Sequence, residues 1–346
     1  MELIWGQFRF LSPEDAFIFR RYHGRSIDMK RTPWQGISFA LLFTTALLSA
    51  ACYDVSLGSA ADSVHRSFRV EPGGKLFLES DLGSIEVSSG GINEVRVDVE
   101  REVRGATDEE AEERLKNLHM DFRQEGNDVH IQVKRPDDFL GSRWGNRLRL
   151  RFVVMVPDRY NLDLKTGGGS IKVNDLEGTI AARTSGGSLH FGHINGSVSG
   201  QTSGGGITLD GGTGPMEVET SGGSIRIGRV AGPVKAHTSG GSIKVEEVQG
   251  AIQASTSGGG VDATITRQPE GDCELRTSGG SVHASLSRDL NLELSAKTSG
   301  GSVSTDLPIN VQGERSRNRL EARLNQGGPR LILQTSGGSI SINEVR

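Results

Sequence analysis

The side chains in this sequence with most chemistry to offer are four histidines, a scatter of carboxylates, two cysteines and a column of serines. His190, His193, His237 and His283 are candidate metal ligands or general bases, and Glu217, Glu219, Asp262 and Glu274 are candidate acids for polymer cleavage. Zinc asks for imidazoles and thiolates at short fixed spacings, and none of these histidines has a partner at one. Glycoside cleavage asks for two carboxylates facing each other across a bond. Slots equivalent to those acids hold Lys235 and Gln253 in neighbouring segments, so no pair stands out. The chain reads as a non-enzyme with no catalytic residues, no metal and no cofactor.

The 48 glycines raise the question of phosphate-binding loops, which present backbone amides to anions. Neither GxGxxG nor GxxxxGK[ST] is present, and the GGxGxD pattern of calcium-binding rolls is missing too. The formal net charge of −4 gives no reason to expect nucleic acid as a partner.

Cys52 closes an apolar run, Ile37 to Ala51, that follows the basic Met29-Lys30-Arg31. Residues 29–52 read as an export signal or lipoprotein signal, because the run is short for a membrane span. Residues 1–28 read as a wrongly assigned upstream extension, and residues 53–66 as a linker. Cys52 is then the expected lipidation site, with Ala50 and Ala51 fitting the small residues such a site prefers and Ser49 standing where Leu is usual. This places the body of the protein in the cell envelope as a periplasmic or surface-exposed lipoprotein, or otherwise outside the cell, touching the membrane through a lipid or signal anchor. Cys273 falls in a slot filled elsewhere by Val, Ile, Leu or Met, so it reads as a buried apolar residue.

The element that positions all of these side chains is a repeat. Near-copies of T-[SG]-G-G-[SG]-[IVL] begin at Thr166, Thr184, Thr202, Thr220, Thr238, Thr256, Thr277, Thr298 and Thr335. Five intervals are 18 residues, two are 21 and the last is 37. Such a period marks a solenoid whose coils bury their apolar sides only by stacking. Four residues before each Thr the chain is always apolar, and five after it stand Ile171, Leu189, Ile207, Ile225, Ile243, Val261, Val282, Val303 and Ile340. Alternation at period two on both sides of the motif gives two short strands per coil, with polar residues such as Lys172, His190, Arg226 and Lys244 facing water. Glycines mark both turns, and the expected reason is backbone angles that other residues avoid. The fold class is therefore all-β: a single-stranded β-solenoid of about 18-residue coils, right-handed by the preference of parallel crossovers.

Residues 67–165 read as the start of the solenoid and an N-terminal β-rich cap, in which Ser84 to Val87 is an early, degenerate coil. Thr107 and Glu110 form a capping box, and Ala111, Leu115 and Leu118 give one apolar stripe, predicting a short helix over 108–118 that covers the open end. Residues 166–346 are the regular repeats, with a hairpin excursion over 311–330 before the last coil.

If the repeat threonines point inward as a hydroxyl ladder, the adjacent Ser185, Ser203, Ser221, Ser239, Ser257 and Ser278 point out along one edge beside Gly amides. Ser beside Gly is ordinary turn chemistry; the same row also suits a repetitive polymer such as a glycan.

The TSGGSI copies from Thr184 to Ile340, the run Pro157-Asp158-Arg159-Tyr160-Asn161-Leu162, and the Gly327-Gly328-Pro329 turn before Leu331 resemble a bacterial family whose repeat unit is called the putative adhesin domain. The resemblance spans roughly residues 80–346. It implies a β-solenoid in an exported or envelope protein, with no catalytic residues to carry over. The expected function is an envelope-anchored, non-enzymatic binding, adhesin or scaffold module, with an envelope glycan or surface protein as partner. A carbohydrate-active enzyme on the same scaffold and an envelope-stress sensor are the competing expectations.

Overall fold

A computed structural model describes residues 58–134 and 148–345. They form two sheets of fourteen strands each, and one short helix. Within the repeats each coil gives one strand to each sheet. Asn161–Thr166 pairs in parallel with Ile180–Thr184, and the same register runs on through Val198–Thr202, Met216–Thr220, Val234–Thr238, Ile252–Thr256 and Cys273–Thr277. In the facing sheet Ile171–Val173, Leu189–Asn195, Ile207–Gly212, Ile225–Val230, Ile243–Val248, Val261–Ile265 and Val282–Leu286 pair likewise. This is the all-β solenoid that the period implies. The first 21-residue coil keeps the register, its extra length absorbed in the turn after Ile265.

Burial follows the alternation. Ile180, Ala182, Phe191, Leu209, Ile227, Val245 and Ala263 are at most 1% exposed, and they line one continuous core between the sheets. Outward residues on the same strands stay wet, so the core is one layer of side chains per sheet.

The motif glycines have a different cause from the one expected. Among the described glycines only Gly73, Gly83, Gly126, Gly178, Gly196 and Gly327 adopt left-handed φ, and none is a glycine of the TSGG corner. A Cβ on Gly187 would sit 2.1 Å from the Gly169 carbonyl oxygen, and one on Gly241 2.1 Å from that of Gly223. The fourth motif residue is glycine because its backbone lies against the corner of the preceding coil.

Stacking order departs from sequence order at both ends. The first coil, Lys75–Ser80 with Ser84–Gly90, lies between the coil of Asp128–Lys134 and Leu148–Pro157 and the coil of Asn161–Thr166 and Ile171–Val173. The final coil, Arg330–Thr335 with Ile340–Glu344, is not the outermost one. It inserts between the Thr277 coil and the Thr298 coil.

Antiparallel strands close the stack. At one end Glu94–Ala106 covers Leu148–Pro157 and is covered by Gly58–Arg69, while His119–Glu125 covers Asp128–Lys134. At the other, the hairpin of Asn310–Ser316 and Arg319–Leu324 covers Leu292–Thr298. The helix Asp108–Asn117 joins the two N-terminal covering strands, started by the reciprocal bonds of Thr107 and Glu110. Its Ala111 and Leu115 pack with Val103 and Leu148 in a small cluster of their own, so the strands, more than the helix, cover the main core.

Candidate functional site

Each repeat Thr ends a strand with its side chain turned inward. All nine are buried, and each hydroxyl donates to a corner glycine carbonyl of the preceding coil in the stack at 2.6–2.8 Å. In several coils the same oxygen accepts the amide of its own corner glycine, as Gly241 N–H to Thr238 at 3.3 Å. This column holds coil to coil and is unavailable to a ligand. The fifth motif position is also engaged: Ser224 accepts the Ser242 amide at 3.1 Å and Ser242 that of Gly260 at 3.2 Å.

The second motif position differs. Ser185, Ser203, Ser221, Ser239, Ser257 and Ser278 are all exposed, and their hydroxyls bond to no other described residue. Their carbonyls are taken up in the stack, as Gly222 N–H to Ser203 at 3.0 Å. Backbone bonding thus fixes the column in place while leaving a free donor and acceptor on each of these six coils. Ser185, Ser203 and Ser221 line a groove of about 390 Å³ together with Lys165, Arg183, Gln201 and Glu219.

The titratable residues do not converge. His190 lies 3.7 Å from Asp210, His193 3.9 Å from Asp175, and His237 bonds Ser255 at 2.8 Å, all near or at the surface. Glu217 holds Lys235 at 2.7 Å and thereby raises the pKa of that lysine. Glu219 accepts from Gln201, and Glu274 pairs with Arg276. On the other sheet Arg151 and Lys172 bond Glu86 and hold its carboxyl below the usual range. Among the described residues no three His, Cys, Asp or Glu are grouped to hold a metal ion. Cys273 is fully buried, and burial pushes its thiol pKa up, away from the reactive thiolate. Cys52 lies outside the described residues. No described helix is long and apolar enough to cross a membrane.

One constellation escapes the sequence. Ser63 Oγ lies 3.0 Å from His65 Nε2, and His65 Nδ1 bonds Asp98. Ser63 and His65 share a strand face two residues apart, and the antiparallel register sets Asp98 opposite His65. The order is that of a nucleophile, base and orienting acid. His65 is 68% exposed and Asp98 50%, so water competes for each bond and screens the charge that activates such a relay. Alternation along the strand was the only available signal, and the pairing that completes the set is invisible in one sequence.

Comparison with known proteins bears on the fold. No protein with a curated description matches the chain. Among solved structures, a putative cell adhesion protein from Clostridium sporogenes is 13% identical with a TM-score of 0.23, over 82% of this chain and 100% of that one. A putative adhesin from Parabacteroides distasonis is 14% identical with a TM-score of 0.35, over 83% and 97%. A putative lipid binding protein from the same species is 13% identical with a TM-score of 0.33, over 82% and 97%. The model of the Toastrack DUF4097 family matches residues 82–343, which takes in the stack from its first corner to its last strand, and the chain belongs to that family.

Proposed function

We propose that the protein is an exported, envelope-anchored, non-enzymatic β-solenoid that binds or scaffolds a repetitive polymer, an envelope glycan first of all, along its serine-lined corner. The observation that carries this reading is the column of exposed, unpartnered serine hydroxyls repeated once per coil. At a coil spacing of about 4.8 Å, a polymer with its own repeat meets the same donor and acceptor at each step. Each exposed bond contributes only about 1 kcal/mol, and linking several along one chain turns weak contacts into retention.

A panel of envelope glycans offered to the purified protein tests the reading. Retained, unshortened glycan is expected, and Ser221→Trp, which fills the groove from an exposed position, should weaken retention by roughly tenfold. Shortened products would instead support a carbohydrate-active enzyme. Anchoring is tested separately: Cys52→Ala should abolish labelling by a radioactive fatty acid and release the protein from membranes.

A further inference from the structure

We infer that the groove beside Ser185 and Ser203 carries a subsite for an anionic group, so that the polymer held there bears a carboxylate or phosphate at regular intervals. This rests on the polymer-binding reading above and adds to it the charge of the ligand. Lys165 and Arg183 stand directly opposite each other on neighbouring parallel strands, one residue before the paired Thr166 and Thr184. Like charges so placed repel and cost stability. At several other places register neighbours of opposite charge close ion pairs: Glu217 with Lys235 at 2.7 Å, Glu86 with Lys172 at 3.3 Å, Arg229 with Glu247 at 3.4 Å.

Among the described residues neither Lys165 nor Arg183 has such a partner. Glu79 is the register neighbour of Lys165 but bonds Gln132, and Glu219, farther along the groove, bonds Gln201. Asp163, two residues before Lys165, pairs with Lys75. Other like-charged register pairs are Arg226 opposite Lys244 on the other sheet, with Asp262 next in register, and Lys297 opposite Arg319 and Glu125 opposite Asp128 where antiparallel strands cover the stack. What sets Lys165 and Arg183 apart is their place: both are exposed, and both line the groove that the free hydroxyls of Ser185 and Ser203 also line. A guanidinium, an ammonium and two hydroxyls facing one trough form a donor set for a carboxylate or phosphate oxygen, and charge-assisted bonds of this kind are about twice as strong as neutral ones.

The test compares the full chain with Lys165→Gln/Arg183→Gln on four immobilised probes: a polyuronate, a poly(glycerol phosphate), a neutral glucan, and vesicles of anionic phospholipid. The parent should retain one or both anionic polymers, less at high salt, and the double variant should lose about tenfold or more of that affinity. Which anionic polymer responds separates carboxylate from phosphate. Both residues are exposed, so the variant should melt no lower than the parent, and relief of the like-charge contact should raise its melting temperature if it changes at all. Equal retention of anionic polymer by parent and variant, or retention of the neutral glucan alone, would overturn the anionic subsite and leave the serine corner standing. Binding to vesicles but to no polymer, or to no probe at all, would overturn the polymer reading and this inference together.

Discussion

Gly241 and Gly168 occupy neighbouring places in equivalent corners, and the structure assigns them opposite tolerances. A Cβ on Gly241 meets the Gly223 carbonyl oxygen at 2.1 Å, a backbone atom that cannot move without opening the corner and stretching the bond from Thr238. A Cβ on Gly168 meets nothing within 4 Å. Gly241→Ala should therefore cost about 1–3 kcal/mol, as overpacking does, while Gly168→Ala stays within about 0.5 kcal/mol, both read from urea denaturation midpoints. Tyr160 supplies a pH signature. Its ring is fully buried and its hydroxyl donates to the Asn127 carbonyl at 2.5 Å; burial, and then the charge of Asp128, push its pKa up to about 12. A phenol whose pKa is higher folded than unfolded favours the folded state below the unfolded value of about 10 and loses that contribution as pH rises toward 12. Denaturation midpoints between pH 9 and 12 should fall for the parent, and the fall should be shallower in Tyr160→Phe.

At the scale of the strand, alternation makes neighbours unequal. Ile243 is 1% exposed and Lys244 is exposed beside it. Ile243→Asp places a carboxylate without a partner in a core one side chain deep per sheet, and should cost about 3 kcal/mol or more. Lys244→Asp should change the melting temperature little; thermal melts followed by far-ultraviolet circular dichroism compare the two. This much of the fold is legible in the sequence, because period and side-chain direction are local properties. The inward threonines, the outward serines and the capping box at Thr107 follow from the same local rules. The cause of the corner glycines is not legible, since a close approach between coils leaves the same letter as an unusual φ. Nor is the Ser63, His65 and Asp98 set, or the meeting of Lys165 with Arg183, because each needs a pairing register that only the folded chain supplies.

For the molecule as a whole, adjacency in sequence fails as a guide at the two ends of the stack. A constant period implies that each coil rests on the one before it, and from Thr166 to Thr277 it does. The 37-residue interval hides the exception, in which Arg330–Thr335 enters between two coils already joined by a short link. A chain ending at Gly328 would thus lose the layer on which Leu292–Thr298 rests. Hydrogen exchange should then show lost protection in peptides spanning 292–324, upstream of the cut, while coils before Thr256 keep theirs. The arrangement also governs how the stack bears tension. A solenoid whose first and last turns are its outermost can be unwound from either terminus, one turn at a time, each step breaking hydrogen bonds on one side only. Here the edge strand Gly58–Arg69 can still peel away from one side, but a pull on the first or the final coil must slide strands between two neighbours and break bonds on both sides at once, as a whipped rope resists fraying because its end is drawn back beneath earlier turns.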